Sequence, residues 1–381
     1  ITPKDLSDQN EKFIERGQRS ITLEGFNACS AQMIPPYNIL MSSRAPIGLL
    51  AINRYECCTN QGFKSLILNK DICDVDYVYY YLKHHIREIE SLGSGTTFKE
   101  VSKKALQSFE FSLPELEVQL KISKLLSDID AKITLNRSIN HNLEAMAKQL
   151  YDYWFVQFDF PDENGMPYKS SGGKMVWDEK LKREIPEGWN VVLLSQYLET
   201  YVEKVSTTSI NPNDRYAPIE VIPRRKMSFW ECSPIENAVS GLCRFQRKHI
   251  LLSNRRVYFH KVCIAAFSGL TRDTVIVLKP TSEDLLGYAY QLVNDDMFIE
   301  YATRHSYGSE QPVLSWESAK SYKALKPSNR LDATYSEFIV AVIEDILRNE
   351  MEIDALTKLR DSLLPLLMNC QVSVNYDLSN D

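Results

Sequence analysis

Leu116-Glu-Val-Gln-Leu-Lys-Ile-Ser-Lys-Leu-Leu-Ser-Asp-Ile-Asp-Ala-Lys-Ile133 decides how this chain is built. From Ile122 its apolar residues step by four and three through Leu126, Ile129 and Ile133, pass Asn136 and Asn140, and resume at Leu143, Ala147, Leu150 and Trp154. A stripe this narrow is a coiled-coil seam, and it predicts a helix from Leu116 to Phe155 that needs a partner. A second helix, Phe338 to Asn369, repeats the step through Ile339, Val342, Ile346, Asn349, Ile353, Leu356, Arg360, Leu363 and Leu367. Asn136 and Asn140 opposite Asn349 or Arg360 would cost packing but fix the register. Both helices are expected to open on an S/T-x-x-E capping box, Ser112/Glu115 (with Pro114 in the first turn) and Thr334/Glu337. Four or five heptads span roughly 50 to 60 Å. Antiparallel pairing would then separate whatever precedes each helix by ~34 to 68 Å, one to two turns of B-DNA.

What precedes each helix is the same module twice. At an offset of about 211 residues, Ile39-Leu-Met-Ser-Ser-Arg44 lies over Ile250-Leu-Leu-Ser-Asn-Arg255. Val78-Tyr-Tyr-Tyr-Leu82 lies over Ala289-Tyr-Gln-Leu-Val293, and the turn Gly93-Ser-Gly95 over Gly308-Ser309. The period is far longer than a solenoid repeat and marks a duplicated domain. The expected fold class is α+β: two mixed α/β modules joined by two long antiparallel coiled-coil helices. The expected boundaries are a first module over 1–112, a helix over 113–158, a polar Gly/Ser-rich linker over 159–187, a second module over 188–333, a helix over 334–370 and a tail over 371–381. Carrying the offset back from Gly188 lands about two dozen residues before Ile1, so the first module is expected to lack its opening strand or two. Tyr151, Tyr153, Trp154, Phe155, Phe158 and Phe160 read either as packing where helix meets module or as an exposed partner patch.

With 381 residues, 44% of them hydrophobic, the chain can fill two cores, and no run of 18 apolar residues or basic-apolar leader is present. A cytoplasmic protein is expected. The eight cysteines show no C-x-x-C spacing and the Cys57-Cys58 pair suits a disulfide poorly, so they read as reduced thiols rather than zinc ligands. His84-His85 reads as a partly exposed face of a helix over 75–92. The net charge of -6 hides an uneven distribution. Residues 188–330 hold 18 Lys/Arg against 14 Asp/Glu, residues 331–381 hold 3 against 10, and residues 1–115 hold 13 against 14. The second module's cations cluster in Arg224-Arg-Lys226, Arg244-Phe-Gln-Arg-Lys248, Arg255-Arg256 with Lys261, and Arg272, on loop-like stretches. Clustered cations on loops are the footprint of phosphate contact, with ordinary solvated surface the alternative.

No catalytic motif emerges. Ile34-Pro-Pro-Tyr37 resembles the N/D-P-P-Y/F loop of amino-methyltransferases, but Ile34 cannot accept the adenine amine's hydrogen bond. There is no G-x-G-x-x-G after a strand, no P-loop and no H-E-x-x-H. Asp128 and Asp130 point to different faces of a helix. Catalysis by this chain alone is not expected.

Several blocks do resemble a known family. Ser112-Leu-Pro-Glu-Leu-Glu-Val-Gln-Leu-Lys-Ile122, Leu125-Leu-Ser-Asp-Ile-Asp-Ala-Lys-Ile133, Leu135-Asn-Arg-Ser-Ile-Asn140, Leu143-Glu-Ala-Met146, Trp154-Phe-Val-Gln-Phe158 and Glu184-Ile-Pro-Glu-Gly-Trp189 resemble the central region of specificity subunits of type I restriction-modification systems. Ile1-Thr-Pro-Lys-Asp-Leu6, Ser42-Ser-Arg-Ala-Pro-Ile-Gly48 and Thr59-Asn-Gln-Gly62 extend the resemblance into the first module. The resemblance implies two target recognition domains, each reading half of a bipartite double-stranded DNA site, with the helices setting the spacer. It further implies two methyltransferase subunits that bind S-adenosylmethionine, restriction subunits recruited to the assembly, and no cofactor in this chain. The rival reading is a coiled-coil scaffold whose heads bind proteins without DNA specificity. In the second module Thr271-Arg-Asp-Thr274 stands where the first has Thr59-Asn-Gln-Gly62, so the two targets are expected to differ.

The candidate DNA contacts in the first module are Ser43, Arg44, Asn60, Gln61, Thr96, Thr97 and Lys99. In the second they are Arg224, Arg225, Lys226, Arg255, Arg256, Arg272, Ser309 and Gln311. Amides, hydroxyls and cations of this kind meet base edges and phosphates, although Asn60 and Gln61 could instead serve an internal turn and Gly93-Ser-Gly95 a simple hairpin.

Overall fold

The computed structural model describes residues 1–9, 11–44, 46–95, 99–110 and 112–374, without the side chains of 8 and 9. The chain packs as two compact units, Ile1–Lys132 with Leu356–Asp381, and Ile133–Ala355. The two cuts fall inside the long helices, because each helix serves one core along one half and the other core along the other half.

In the first unit Leu50–Asn53 lies between Phe13–Ile14, which it pairs in parallel, and Ile39–Met41, which it pairs antiparallel. Alternation along Ile39–Met41 divides its side chains between two faces. Ile39 and Met41 pack with Tyr77, Val78 and Leu82 of the helix Val75–His84, while Leu40 packs with Leu6, Ile14 and Phe63. A strand covered on both faces reads as an unbroken apolar run, which is what this one shows. The single helix expected over 75–92 breaks at His85 into Val75–His84 and Ile86–Ser91.

The second unit contains the same arrangement, enlarged. Val262–Ala265 lies between Ser228–Phe229, in parallel, and Ile250–Ser253, antiparallel, and the sheet continues through Val275–Pro280 to Leu198–Thr200. Ile52 opposite Ile39 in the first unit becomes Ile264 opposite Ile250 here. The bridges Ile39 to Leu66 and Ser42 to Phe63 become the full strand Val275–Pro280 against Ile250–Ser253. Leu286–Asn294 takes the place of Val75–His84, and all of its residues from Leu286 to Val293 are buried.

The long helices run Leu116–Tyr151 and Leu331–Met368. The expected Thr334/Glu337 cap is corrected: the helix starts three residues earlier, after Asn329 and Arg330 at φ 55°, and the Thr334 hydroxyl donates to the Arg330 carbonyl inside the first turn. The first helix is anchored by a residue that the capping pattern misses. Buried Gln119 donates to the Pro114 and Ile72 carbonyls and accepts from the Asp74 amide. After Tyr151 the helix widens into a π-turn, Asp152–Val156, and Pro365 sits in the last turns of the other helix.

Within the second unit the helices pair antiparallel, with Asn136 donating to Glu352, Asn140 to Glu350, Asn349 to Asn140 and the Tyr335 hydroxyl to the Ala147 carbonyl. Within the first unit Asp130 pairs with Arg360 at 2.8 Å. Asn140 therefore faces Asn349, whereas Arg360 meets a carboxylate rather than an asparagine. Ile122, Leu126, Ile129, Ile133, Asn136, Asn140, Ile339, Val342, Ile346 and Ile353 are buried, and Leu143, Asn349, Leu356 and Leu363 are half-buried. Near Pro365 the more buried position is Leu364 rather than Leu363.

Tyr151, Trp154, Phe155 and Phe158 belong to the second unit's core, Phe160 stacks on Trp189, and Tyr153 is exposed. Residues 159–187 carry a hairpin, Met175–Asp178 with Arg183–Pro186, whose Ile185 is buried in that core. All eight cysteines are free thiols, and among the described residues no group of three or more His, Cys, Asp or Glu could hold a metal. No helix among the described residues is long and apolar enough to cross a membrane.

Candidate nucleic-acid interface

In each unit one residue at a strand end ties three loops together. In the first unit the Ser43 amide donates to the Gly62 carbonyl at 2.7 Å, and the Ser43 carbonyl accepts from the Val101 amide at 2.9 Å. In the second, the Asn254 amide donates to Thr274 at 3.0 Å and its carbonyl accepts from Leu314 at 2.8 Å. The third loop is built alike in both. Arg44 and Ser94 bridge Glu100, as Arg255 and Tyr307 bridge Val313. Gly95 (φ 125°) and Gly308 (φ 99°) supply the left-handed turn, which a side chain would strain.

This clasp holds most of the sequence candidates. In the first unit Asn60 and Gln61 are exposed, with Asn60 Oδ1 accepting from the Gly62 amide at 3.0 Å and the Gln61 carbonyl accepting from Arg44 Nη2 at 3.2 Å. Lys99 is exposed beside Glu100. Ser43 is corrected from contact to support: it is fully buried and its hydroxyl donates to the Gly62 carbonyl. Thr96 and Thr97 lie outside the described residues.

In the second unit Arg255, Arg256, Ser309 and Gln311 sit on the clasped loops, and Arg272 ends the strand Gly269–Arg272 that leads into one of them. The Arg256 amide donates to the Pro312 carbonyl, Ser309 and Gln311 are exposed, and Arg272 Nε is buried with no hydrogen-bond partner. Arg224-Arg-Lys226 reaches this region through the turn Val257–Phe259, which follows Arg256. The Arg224 guanidinium lies 3.9 Å from the Phe259 ring centre, and the Arg225 amide donates to the His260 carbonyl. Arg225 is paired with Asp296 at 2.9 Å and lines a 180 Å³ pocket with His260 and Glu144. Glu144 accepts from the Met227 amide, and burial raises its carboxyl above the usual glutamate range.

The remaining cation clusters serve the fold. Arg247 and Lys248 both pair with Glu344, Arg244 pairs with Glu203 and Asp214, and Lys261 donates to the Ile219 carbonyl. Sequence reasoning missed Glu100 as a site residue, and with it the Lys64 ammonium that bonds both the Ser43 hydroxyl and Glu100 at 3.2 Å. It also missed Asn254, whose signal was available because the 211-residue offset lays it over Ser43.

Comparison with known proteins fits this geometry. The type I restriction modification DNA specificity domain matches residues 1–145. The MjaIX specificity subunit of Methanocaldococcus jannaschii is 28% identical, over 97% of this chain and 85% of its own length. The HindI specificity subunit of Haemophilus influenzae is 21% identical over 72% of each chain. Among solved structures, the type I S subunit of M. genitalium shares the fold, with a TM-score of 0.55 and 16% identity over 94% of this chain and 88% of that one. The matched domain covers residues 1–145, and along nearly its whole length the chain is similar to specificity subunits of type I restriction-modification systems.

Proposed function

We propose that the chain reads a bipartite double-stranded DNA site, one half with residues 1–112 and the other with residues 188–333. The segments 113–158 and 334–370 act as a coiled coil that sets the spacer. The observation that carries this reading is the clasp repeated in both units, which presents the exposed amides of Asn60 and Gln61 in one and arginines beside exposed Gln311 in the other. An amide can read base edges and a cation can hold phosphate, so a pair of such surfaces suits two unlike half-sites. The chain is the non-catalytic member of a cytoplasmic assembly. Two methyltransferase subunits hold S-adenosylmethionine and restriction subunits join them, while the helices serve as the scaffold.

The test uses the chain in complex with its methyltransferase subunit and a duplex carrying the site mapped by methylome sequencing of a strain bearing this gene. Sequence-dependent binding that weakens steeply with salt is expected. Equal affinity for scrambled duplex would instead favour a protein-binding scaffold.

A further inference from the structure

We propose that Glu100 is a specificity-determining position of the first reader, because it holds Arg44 and Lys64 away from DNA and leaves base contact to Asn60 and Gln61. This inference rests on the DNA-reading function proposed above. Glu100 Oε1 lies 3.2 Å from Lys64 Nζ and 3.6 Å from Arg44 Nη2. Each cation also makes a second bond within the clasp, Lys64 to the Ser43 hydroxyl and Arg44 to the Gln61 carbonyl. One carboxylate thus engages two cations, both of which already support the loop carrying the exposed amides.

The second unit is built differently at the equivalent places. Arg44 corresponds to Arg255, but Lys64 falls on Ile276 and Glu100 on Val313. The carboxylate and ammonium become two apolar residues, and among the described residues Arg255 makes no ion pair. The same clasp therefore yields a reader in which Arg44 and Lys64 are neutralised in place and another whose arginine is available to a phosphate. A phosphate contact adds salt dependence without sequence information, whereas an amide held at a base edge adds discrimination.

The experiment compares the wild-type complex, Glu100→Val and the double variant Lys64→Ile/Glu100→Val, all with the methyltransferase subunit. The probes are the methylome-mapped duplex and duplexes altered at single bases of the first half-site. Glu100→Val frees two cations, so its affinity should fall by roughly an extra tenfold between about 50 and 200 mM salt. Its discrimination against altered first half-sites should drop by about fivefold or more. The double variant removes one freed cation and should recover about half of the added salt dependence on a logarithmic scale. Discrimination against duplexes altered in the second half-site reports whether the complex is intact, and should match wild type. Unchanged salt dependence and discrimination in Glu100→Val would overturn the proposal, as would equal losses in both variants with no change in salt dependence. A wild-type complex that does not distinguish its mapped site from scrambled duplex would overturn the DNA-reading function itself, and this inference with it.

Discussion

Ser43 and Asn254 occupy the same place in the two units and spend their polar groups differently. Ser43 donates its hydroxyl to the Gly62 carbonyl, whereas Asn254 donates its side-chain amide to the Asp273 carbonyl. Both satisfy backbone groups that would be costly to leave unpaired in a tight loop junction. Polarity alone marked Ser43 as a contact, and burial made it a strut. The residues left facing outward differ in kind, and their substitutions should differ too. Arg255→Ala should weaken binding on all sequences and lower the slope of log affinity against log salt by about one. Gln61→Ala should leave that slope alone and relax the first half-site by about 1 to 3 kcal/mol. Salt titrations on cognate and altered duplexes read both, and a Gln61→Ala complex with unaltered discrimination removes Gln61 from the reading set.

At the scale of the helices, the polar seam is more charged than its asparagines suggested. Glu350 accepts from Asn140, with Glu144, Lys226 and Arg137 nearby, and burial raises its carboxyl above the usual glutamate range. A carboxyl whose folded pKa exceeds its unfolded value binds protons more tightly when folded. Stability therefore falls as pH rises from the usual glutamate range, about 4.3, through the raised value. Glu350→Gln keeps an acceptor for Asn140 and removes the buried charge. It should melt higher than wild type at neutral pH, with the gain shrinking as pH drops through the raised value toward the usual glutamate range. Melting temperatures between about pH 4 and 8 decide the matter. A difference that stays constant across that range would show that the charge is not the cause.

For the whole molecule, the proposed function makes the length of the two helices a measurable quantity. Inserting seven residues into both helices at matched seam positions adds about 10 Å at 1.5 Å per residue. That length corresponds to about three base pairs at 3.4 Å each. Methylome sequencing should then report the same half-sites with a spacer longer by about three base pairs. An unchanged spacer would end the idea that the helices measure it.

Much of this organisation was legible because it rests on local periodicity. The 4-3 step through Ile122, Leu126, Ile129 and Ile133, and its counterpart through Ile339, Val342 and Ile346, follows from 3.6 residues per turn, and the helices formed on those residues. The duplication was legible because equal strands and helices need equal apolar runs, as Ile39–Met41 and Ile250–Ser253 show. What the sequence did not disclose were pairings between residues far apart in the chain. Arg360 chose Asp130 over an asparagine, Lys64 and Arg44 converged on Glu100, and Arg247 and Lys248 turned to Glu344. The sequence by itself thus determined the elements and their duplication, since hydrophobic spacing acts over a few neighbouring residues. Only the tertiary structure decided which polar groups face outward, because a charge or amide is spent on whichever partner the fold brings within hydrogen-bond reach.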